Sequence, residues 1–522
     1  MASLAILITL AALVRTEENL RGKWAWKKCK RELEAQGEKL DWKEYIPPPV
    51  PDDQNFAMTP FLAPLLDFNT NRTAANPSAW RDTNGYDRAF SVGAKIFFNL
   101  AISRGSDITW YPGPEYETRL ERLTDLQAWA LPLTGKTNKA QLAAAPALPR
   151  REAAAVVLRA LEQDNPALDE LRSASRRPYA RFNLQYDSES AAAILLPHLA
   201  VLKRCSRVFA LRASAELALA RTDLAWADAQ MVLYLSDAIK NEPILISRIV
   251  QVHLVQIALK PIWEGLAEHK WSDAQLVEIE QRLAKLNLLA DADLRSERAF
   301  WIINLDQMRR FGRGENLMDL TALENFLLSS ICYQNESFLA QLFQQRFVPV
   351  VDAANQRVYP SRALDEAALS KALASRFKPD SLPTQELVPY VSRAQPMFAF
   401  GQTRVNEAIV ACALERYRLA QGQFPESLEP LCPRFLEKMP HDVITGAPLI
   451  YRRTPDGQFI LYSVGWNEKD DGGLVVRPSP PYDETQMDWR SKRWSEWELI
   501  QGDWVWQYPG PLAPTAQQTA PE

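Results

Sequence analysis

Four histidines, His198, His253, His269 and His441, are the only imidazoles in the chain, so acid–base work or metal ligation near neutral pH would start from them. They lie far apart and fit no H-E-x-x-H pattern, in which two imidazoles one helical turn apart share a metal. His253 falls on an apolar helical stripe and reads as a hydrogen-bonded core residue. The cysteines, Cys29, Cys205, Cys332, Cys412 and Cys432, are scattered and odd in number. No C-x-x-C or C-x-H spacing joins them, so neither a zinc site nor a disulfide framework is implied. Gly135-Lys-Thr137 ends like a phosphate loop, but Ala130 stands five positions earlier, where that loop needs glycine. Ser375-Arg-Phe-Lys378 has the S-x-x-K spacing of an acylating serine without an SDN or KTG partner. Carboxylates are plentiful, but acid and base roles among them need geometry. The residues therefore point to no catalytic group, to no organic cofactor and to a chain that is not an enzyme.

Helices would have to position any site, because apolar side chains recur at steps of three and four over much of 115–394. Leu202, Cys205, Phe209, Ala213, Leu217 and Ala220 line one face. Leu224, Ala227, Met231, Leu235 and Ala238 line a second, between a cap at Thr222-Asp223 and a break at Glu242-Pro243. A third stripe, Ile246, Val250, His253 and Ile257, predicts a helix that ends before Pro261. A fourth, Leu276, Ile279, Leu283 and Leu286, opens with the capping-box pattern Ser272-Asp-Ala-Gln275. The first two stripes predict an antiparallel pair, and its small residues make Ala213 to Ala238 similar to a tetratricopeptide hairpin. No repeat of ~34 residues follows, so a generic helical array or bundle is expected.

Bulk properties bound the rest. Apolar residues make up 47% and charged residues 24% of 522, the balance of a folded, water-facing protein with several packed units. Lys plus Arg total 60 against 64 Asp plus Glu, a formal charge of -4. No basic surplus exists to neutralise a phosphate backbone, so nucleic acid is not an expected partner. Scarce glycine, 19, beside 36 prolines suits long helices joined by stiff connections.

Location rests on the first residues. Ala2 to Val14 carries no charge and is followed by the charged stretch Arg15 to Glu38. Such a helix reaches ~20 Å against a hydrocarbon core of ~30 Å, so residues 1–14 read as a short membrane anchor or a signal-like segment. Residues 15–45 read as a polar juxtamembrane helix stopping at Gly37. Residues 46–114 read as a proline-rich spacer, Ile46 to Pro51, and an irregular strap. Residues 115–394 are expected to form one helical domain with hardly any strand.

From Phe398 the pattern changes. A helix runs through Val405, Ile409, Ala413, Leu414 and Tyr417 and ends at Gly422. Asp442-x-x-Thr-Gly-x-Pro-Leu-x-Tyr451 precedes a turn at Pro455-Asp-Gly457, and Phe459 to Val464 closes a predicted hairpin. The order YRLAQGQFPESLEPL, D-x-x-T-G-x-P-L-x-Y, YSVGWNEKDDGG resembles the soluble head of type II secretion major pseudopilins, over about 396–476. An isolated hairpin is marginal in water, so the helix Val405 to Tyr417 is expected to cover one face of the strands, with Tyr451 and Leu461 beneath it. Related heads hold calcium near the loop after the last strands, which implies Asn467, Glu468, Asp470 and Asp471 as oxygen ligands of a possible Ca²⁺ site. A solvated acidic turn is the alternative. Residues 481–522 read as a Trp-rich tail with a disordered end, its Gly502-Asp-Trp-Val-Trp506 resembling a short strand.

The expected fold is mainly α, a helical array or bundle with a small C-terminal α+β module at 395–480. The expected role is a non-catalytic, membrane-tethered interaction or scaffold protein of the bacterial cell envelope, at the inner membrane with its body facing the periplasm and with a protein partner. The alternatives are an envelope enzyme using carboxylates in a groove of the helical domain and a soluble cytoplasmic helical adaptor.

Overall fold

Apolar stripes at helical spacing become twelve helices among the described residues of the structure, a computed structural model. Those residues are 2–68, 80–98, 120–134, 146–186, 194–290, 292–311, 322–363, 382–475, 477–478, 501–509 and 517–518. In chain order the helices are α1 (Ala2–Ala35), α2 (Thr83–Ser91), α3 (Leu126–Ala130), α4 (Arg150–Leu161), α5 (Asn165–Ala174) and α6 (Pro197–Ala218), then α7 (Thr222–Ala238), α8 (Leu245–Ala267), α9 (Asp273–Leu283), α10 (Arg295–Phe311), α11 (Ala322–Leu342) and α12 (Leu382–Gln421). Two small antiparallel sheets and a two-residue parallel pair, Arg477–Pro478 with Gln517–Gln518, complete a mainly α fold. Gly135 to Thr137, Ser375 to Lys378 and Trp489, Trp494 and Trp497 lie outside the described residues.

The first and fourth predicted stripes are buried faces, but Leu224 and Ala227 of the second and Ile246 of the third are exposed, Val250 and His253 are half-buried, and the helix ends differ from expectation. α6 starts at Pro197, where a missing N–H costs nothing, and buries Leu202, Cys205, Phe209, Ala213 and Leu217. It closes with Arg221 N–H donating to Glu216 O at 2.9 Å around Ala220, a residue at φ 62°. Thr222 and Asp223 do not cap α7. Both accept from Gln275 Nε2, at 3.1 and 2.7 Å, and Gln275 also closes the predicted capping box with Ser272 at the start of α9. One glutamine thus ties two helix starts together, a long-range partner that local pattern could not supply.

α8 also departs from expectation, continuing through Pro261 to Ala267. The helix is held on several sides, touching α6, α7 and α12, and that packing outweighs the ~3 kcal/mol cost of an interior proline. It is the one helix among the described residues long and apolar enough to cross a membrane, and 72% of that apolar window is buried inside the protein, as in a core helix. α12 meets it closely. A Cβ on Gly401 would stand 2.6 Å from Val252 Cγ1 and 3.2 Å from Leu288 Cδ1, so only glycine lets the backbones approach.

α12 begins at Leu382, well before Phe398, and passes unbroken through Pro396 and the expected boundary at 394/395. Helical domain and C-terminal module therefore share one element, and a single apolar cluster extends from Cys29 to Tyr508. The strands in the described part of 115–394 are the two-residue hairpin of β1 (Val351–Asp352) and β2 (Arg357–Val358); the rest is helix joined by turns and irregular segments.

The C-terminal sheet has the order β3-β4-β5, from β3 (Ile450–Arg453), β4 (Phe459–Ser463) and β5 (Trp504–Gln507). β3 and β4 form the predicted hairpin, with Tyr451 opposite Leu461 and Gly457 at φ 80° in the turn. β5 adds a strand from the Trp-rich stretch and pairs Leu461 with Trp506. Leu414 on α12 and Leu461 on β4 are fully buried, as expected. Tyr451 is only half-buried and instead donates its hydroxyl to Pro425 O at 2.6 Å. Cys205 and Cys412 are buried and unpaired. The expected strap is partly helical through α2, and Phe61 N–H donates to Glu170 Oε1 at 2.7 Å to fix it on α5.

α1 joins two segments that the sequence separated, the uncharged start and the polar stretch after it, in one 34-residue helix. Gln334 Nε2 donates to Glu18 O at 2.7 Å and Gln344 Nε2 to Glu38 Oε1 at 3.3 Å, so α1 and α11 run side by side in the same direction.

Candidate functional site

The D-x-x-T-G motif is a closed turn built on Asp442, which is 2% exposed. Its Oδ1 accepts from Ile444 N–H at 2.9 Å and Ser463 Oγ at 2.8 Å, and its Oδ2 accepts from Thr445 Oγ1 at 3.2 Å. The backbone closes the loop, Asp442 N–H donating to Ala447 O and Gly446 N–H to Asp442 O, both at 2.8 Å. Asn406 of α12 reaches the same turn by donating to His441 O at 2.9 Å. Asp442 thus ties the turn to the end of β4, Thr445 and Gly446 close it internally, and the neighbouring His441 carbonyl joins it to α12.

The acidic loop follows β4. Asn467 Nδ2 donates to Asp471 Oδ2 at 2.8 Å, and Asp470 Oδ1 accepts from Tyr462 Oη at 3.0 Å and Gly472 N–H at 2.9 Å. Glu468, at φ 58°, turns away to accept from Ser361 Oγ at 3.4 Å. Among the described residues no group of three or more His, Cys, Asp or Glu is placed to hold a metal ion. The residue that organises the loop comes from 32 positions beyond Asp471. Asp503, 3% exposed, accepts from the N–H groups of Asp471, Gly473 and Leu474 at 3.3, 2.6 and 3.2 Å. Burial raises its carboxyl pKa while those three donors oppose the rise. The sequence signal that could have found it is its place at the head of the alternating strand.

Several other ionisable groups are internal. Glu407 is fully buried, and burial pushes it up to about 8 against the attraction of Arg404, whose Nη1 lies 2.9 Å from Glu407 Oε2 and 2.6 Å from Val505 O. Glu297, pushed up to about 7 by burial, accepts from Trp301 Nε1 at 2.6 Å and from Leu245 N–H at 3.1 Å, the first amide of α8. Lys260, lowered by burial to about 8, lies 3.8 Å from Glu264, which also takes Thr124 N–H at 2.7 Å and Arg150 at 3.4 Å. His198 Nε2 lies 2.9 Å from Glu242, whose other oxygen accepts from Ser247 Oγ. The other histidines go elsewhere, His269 to Glu415 at 3.0 Å and His441 to Gln356 O at 3.1 Å. His253 is half-buried on α8 rather than a hydrogen-bonded core residue, its Nε2 has no hydrogen-bond partner, and desolvation beside Lys203 and Arg207 holds its pKa well below the usual range. These groups can hold protons at fixed internal positions, and they join helix to helix and helix to sheet.

One face of α1 is different. Gly22, Cys29 and Leu33 are buried, and Cys29 Sγ lies 3.9 Å from Ser337 O on α11. On the opposite face Leu13, Leu20 and Trp24 are 62%, 55% and 72% exposed. Their steps of seven and four place them within about 40° of one another around the axis. Three large apolar side chains thus lie in line along this exposed face. No family model, curated protein or solved structure matches the chain.

Proposed function

We propose that the chain is a non-catalytic scaffold of the bacterial cell envelope, tethered to the membrane by α1, whose pseudopilin-like C-terminal module meets a protein partner. The observation that carries the tether is the exposed line Leu13, Leu20, Trp24 on a helix that continues without a break from the uncharged Ala2 to Val14. Burying those side chains in lipid removes apolar area from water, while the opposite face of α1 holds the helix to α11 through Cys29 and Gln334. The order of helix, hairpin and third strand supports the pseudopilin-like reading, as does the part Asp442 plays in the D-x-x-T-G turn. The internal ties of Glu407, Glu264 and His198 support a structural role for the buried ionisable groups. An enzyme acting through carboxylates is the second reading, favoured by Glu242, which faces both His198 and Ser247.

Fractionation of cells expressing the full chain, with an alkaline carbonate wash, tests the tether. The full chain is expected in the washed membranes, and deletion of residues 2–14 is expected to release it. Recovery of the full chain in the soluble fraction would overturn the proposal.

A further inference from the structure

The line of apolar side chains on α1 is bordered by cations. On the same helix Lys23, Lys27, Lys28 and Arg31 are all exposed. At about 100° per residue, Lys23 and Lys27 flank the Leu13–Leu20–Trp24 line on one side, Lys28 on the other, and Arg31 continues it. Glu17 and Glu34 are the exposed acidic residues on this face, so four basic groups stand against two. Lys28 and Glu32 lie 3.9 Å apart at 74% and 58% exposure, a pairing that leaves the lysine hydrated and available.

We infer that this face is a docking surface for anionic phospholipid, with α1 lying obliquely on the bilayer rather than standing upright in it. The inference rests on the tether proposed above and names the lipid that it reads. Geometry supports the tilt. From Val14 to Lys27 a helix rises ~20 Å, so an upright α1 with Val14 at the hydrocarbon boundary would lift Lys27 beyond the headgroup layer, which is roughly 5–8 Å deep. Laid on its exposed face, the helix puts Leu13, Leu20 and Trp24 at the acyl boundary and the cations at headgroup level, where lysine and arginine stems reach outward. α11 packs on the opposite face of α1, so it does not obstruct this orientation.

Each basic group near an anionic surface adds roughly fivefold in affinity. Four, offset by Glu17 and Glu34, predict about 25-fold tighter binding of the full-length protein to vesicles containing 30% phosphatidylglycerol than to phosphatidylcholine alone at low salt. Co-sedimentation with both vesicle types measures it. The combined variant Lys23→Gln, Lys27→Gln, Lys28→Gln and Arg31→Gln is expected to lose the preference while keeping the parent's circular dichroism. A control with the same charge change at exposed Lys95, Arg151, Lys285 and Lys438 is expected to keep it. Equal binding of the parent to both vesicles overturns the inference and leaves the tether standing, whereas binding to neither overturns both. Loss of the preference in the control variant overturns it as well, by assigning the effect to net charge.

Discussion

Replacing Trp506 with alanine tests whether the Trp-rich stretch is part of the fold. Trp506 is completely buried and pairs across the sheet with Leu461, itself completely buried. A buried tryptophan removes roughly 150–250 Å² from water, which at about 25 cal/mol per Å² is ~4–6 kcal/mol. That is an upper bound, because the unfolded chain already shelters part of the ring. Measured truncations of buried aromatics place the loss at ~3–5 kcal/mol. With a urea dependence of ~3 kcal/mol per molar or more for a chain of this size, the unfolding midpoint falls by at most roughly 1.7 M. Urea titration followed by far-ultraviolet circular dichroism reads the shift. Because α12 belongs to both the helical part and the sheet module, the whole transition should move together. An unchanged midpoint would mean that residues 501–509 do not complete the sheet, and an early separate transition would mean that the module unfolds on its own.

Leu414→Ala, on the α12 face and completely buried, should cost roughly 2–5 kcal/mol, and denaturation like the parent's would place that side chain in water. Glu407 has a folded pKa of about 8, above its unfolded value, so its contribution to stability is fully present below pH ~4.5 and is lost as pH rises through 8. Glu407→Gln, which cannot ionise, should flatten the fall of the urea midpoint between pH 6 and 9, a fall of at most ~1.4 kcal/mol per pH unit for one proton; parallel profiles for parent and variant would remove Glu407 as its source. The acidic loop is closed by Tyr462, Gly472 and Asp503 through its own hydrogen bonds, so the melting temperature should not change with millimolar Ca²⁺ or with chelator. A rise with Ca²⁺ would instead assign Asn467, Glu468, Asp470 and Asp471 the ligand role that the pseudopilin resemblance implies.

What the sequence made legible was local. The stripes through Leu202 to Leu217 and Leu276 to Leu283, the capping box at Ser272, the stop at Gly37 and the turn at Gly457 all depend on residues within one or two helical turns of each other. What it hid was long-range. Thr222 and Asp223 look like a cap until Gln275 takes both oxygens, and Pro261 looks like a helix end until the packing of α8 outweighs it. Asp503 looks like a tail residue until it gathers three amides of a loop 30 residues away. The site was legible in the same uneven way. The apolar start and the cations of α1 stand in plain sequence, but which of them share a solvent-facing side follows only from the contact with α11 through Cys29 and Gln334.

The central claim, that the exposed face of α1 meets lipid, is tested most directly by photo-crosslinking in membranes. A photoreactive amino acid at position 13, where Leu13 is 62% exposed, should give lipid adducts by mass spectrometry, whereas the same group at Leu224, 52% exposed on α7, should not. Protein adducts alone at position 13, or no adduct there at all, would contradict the account.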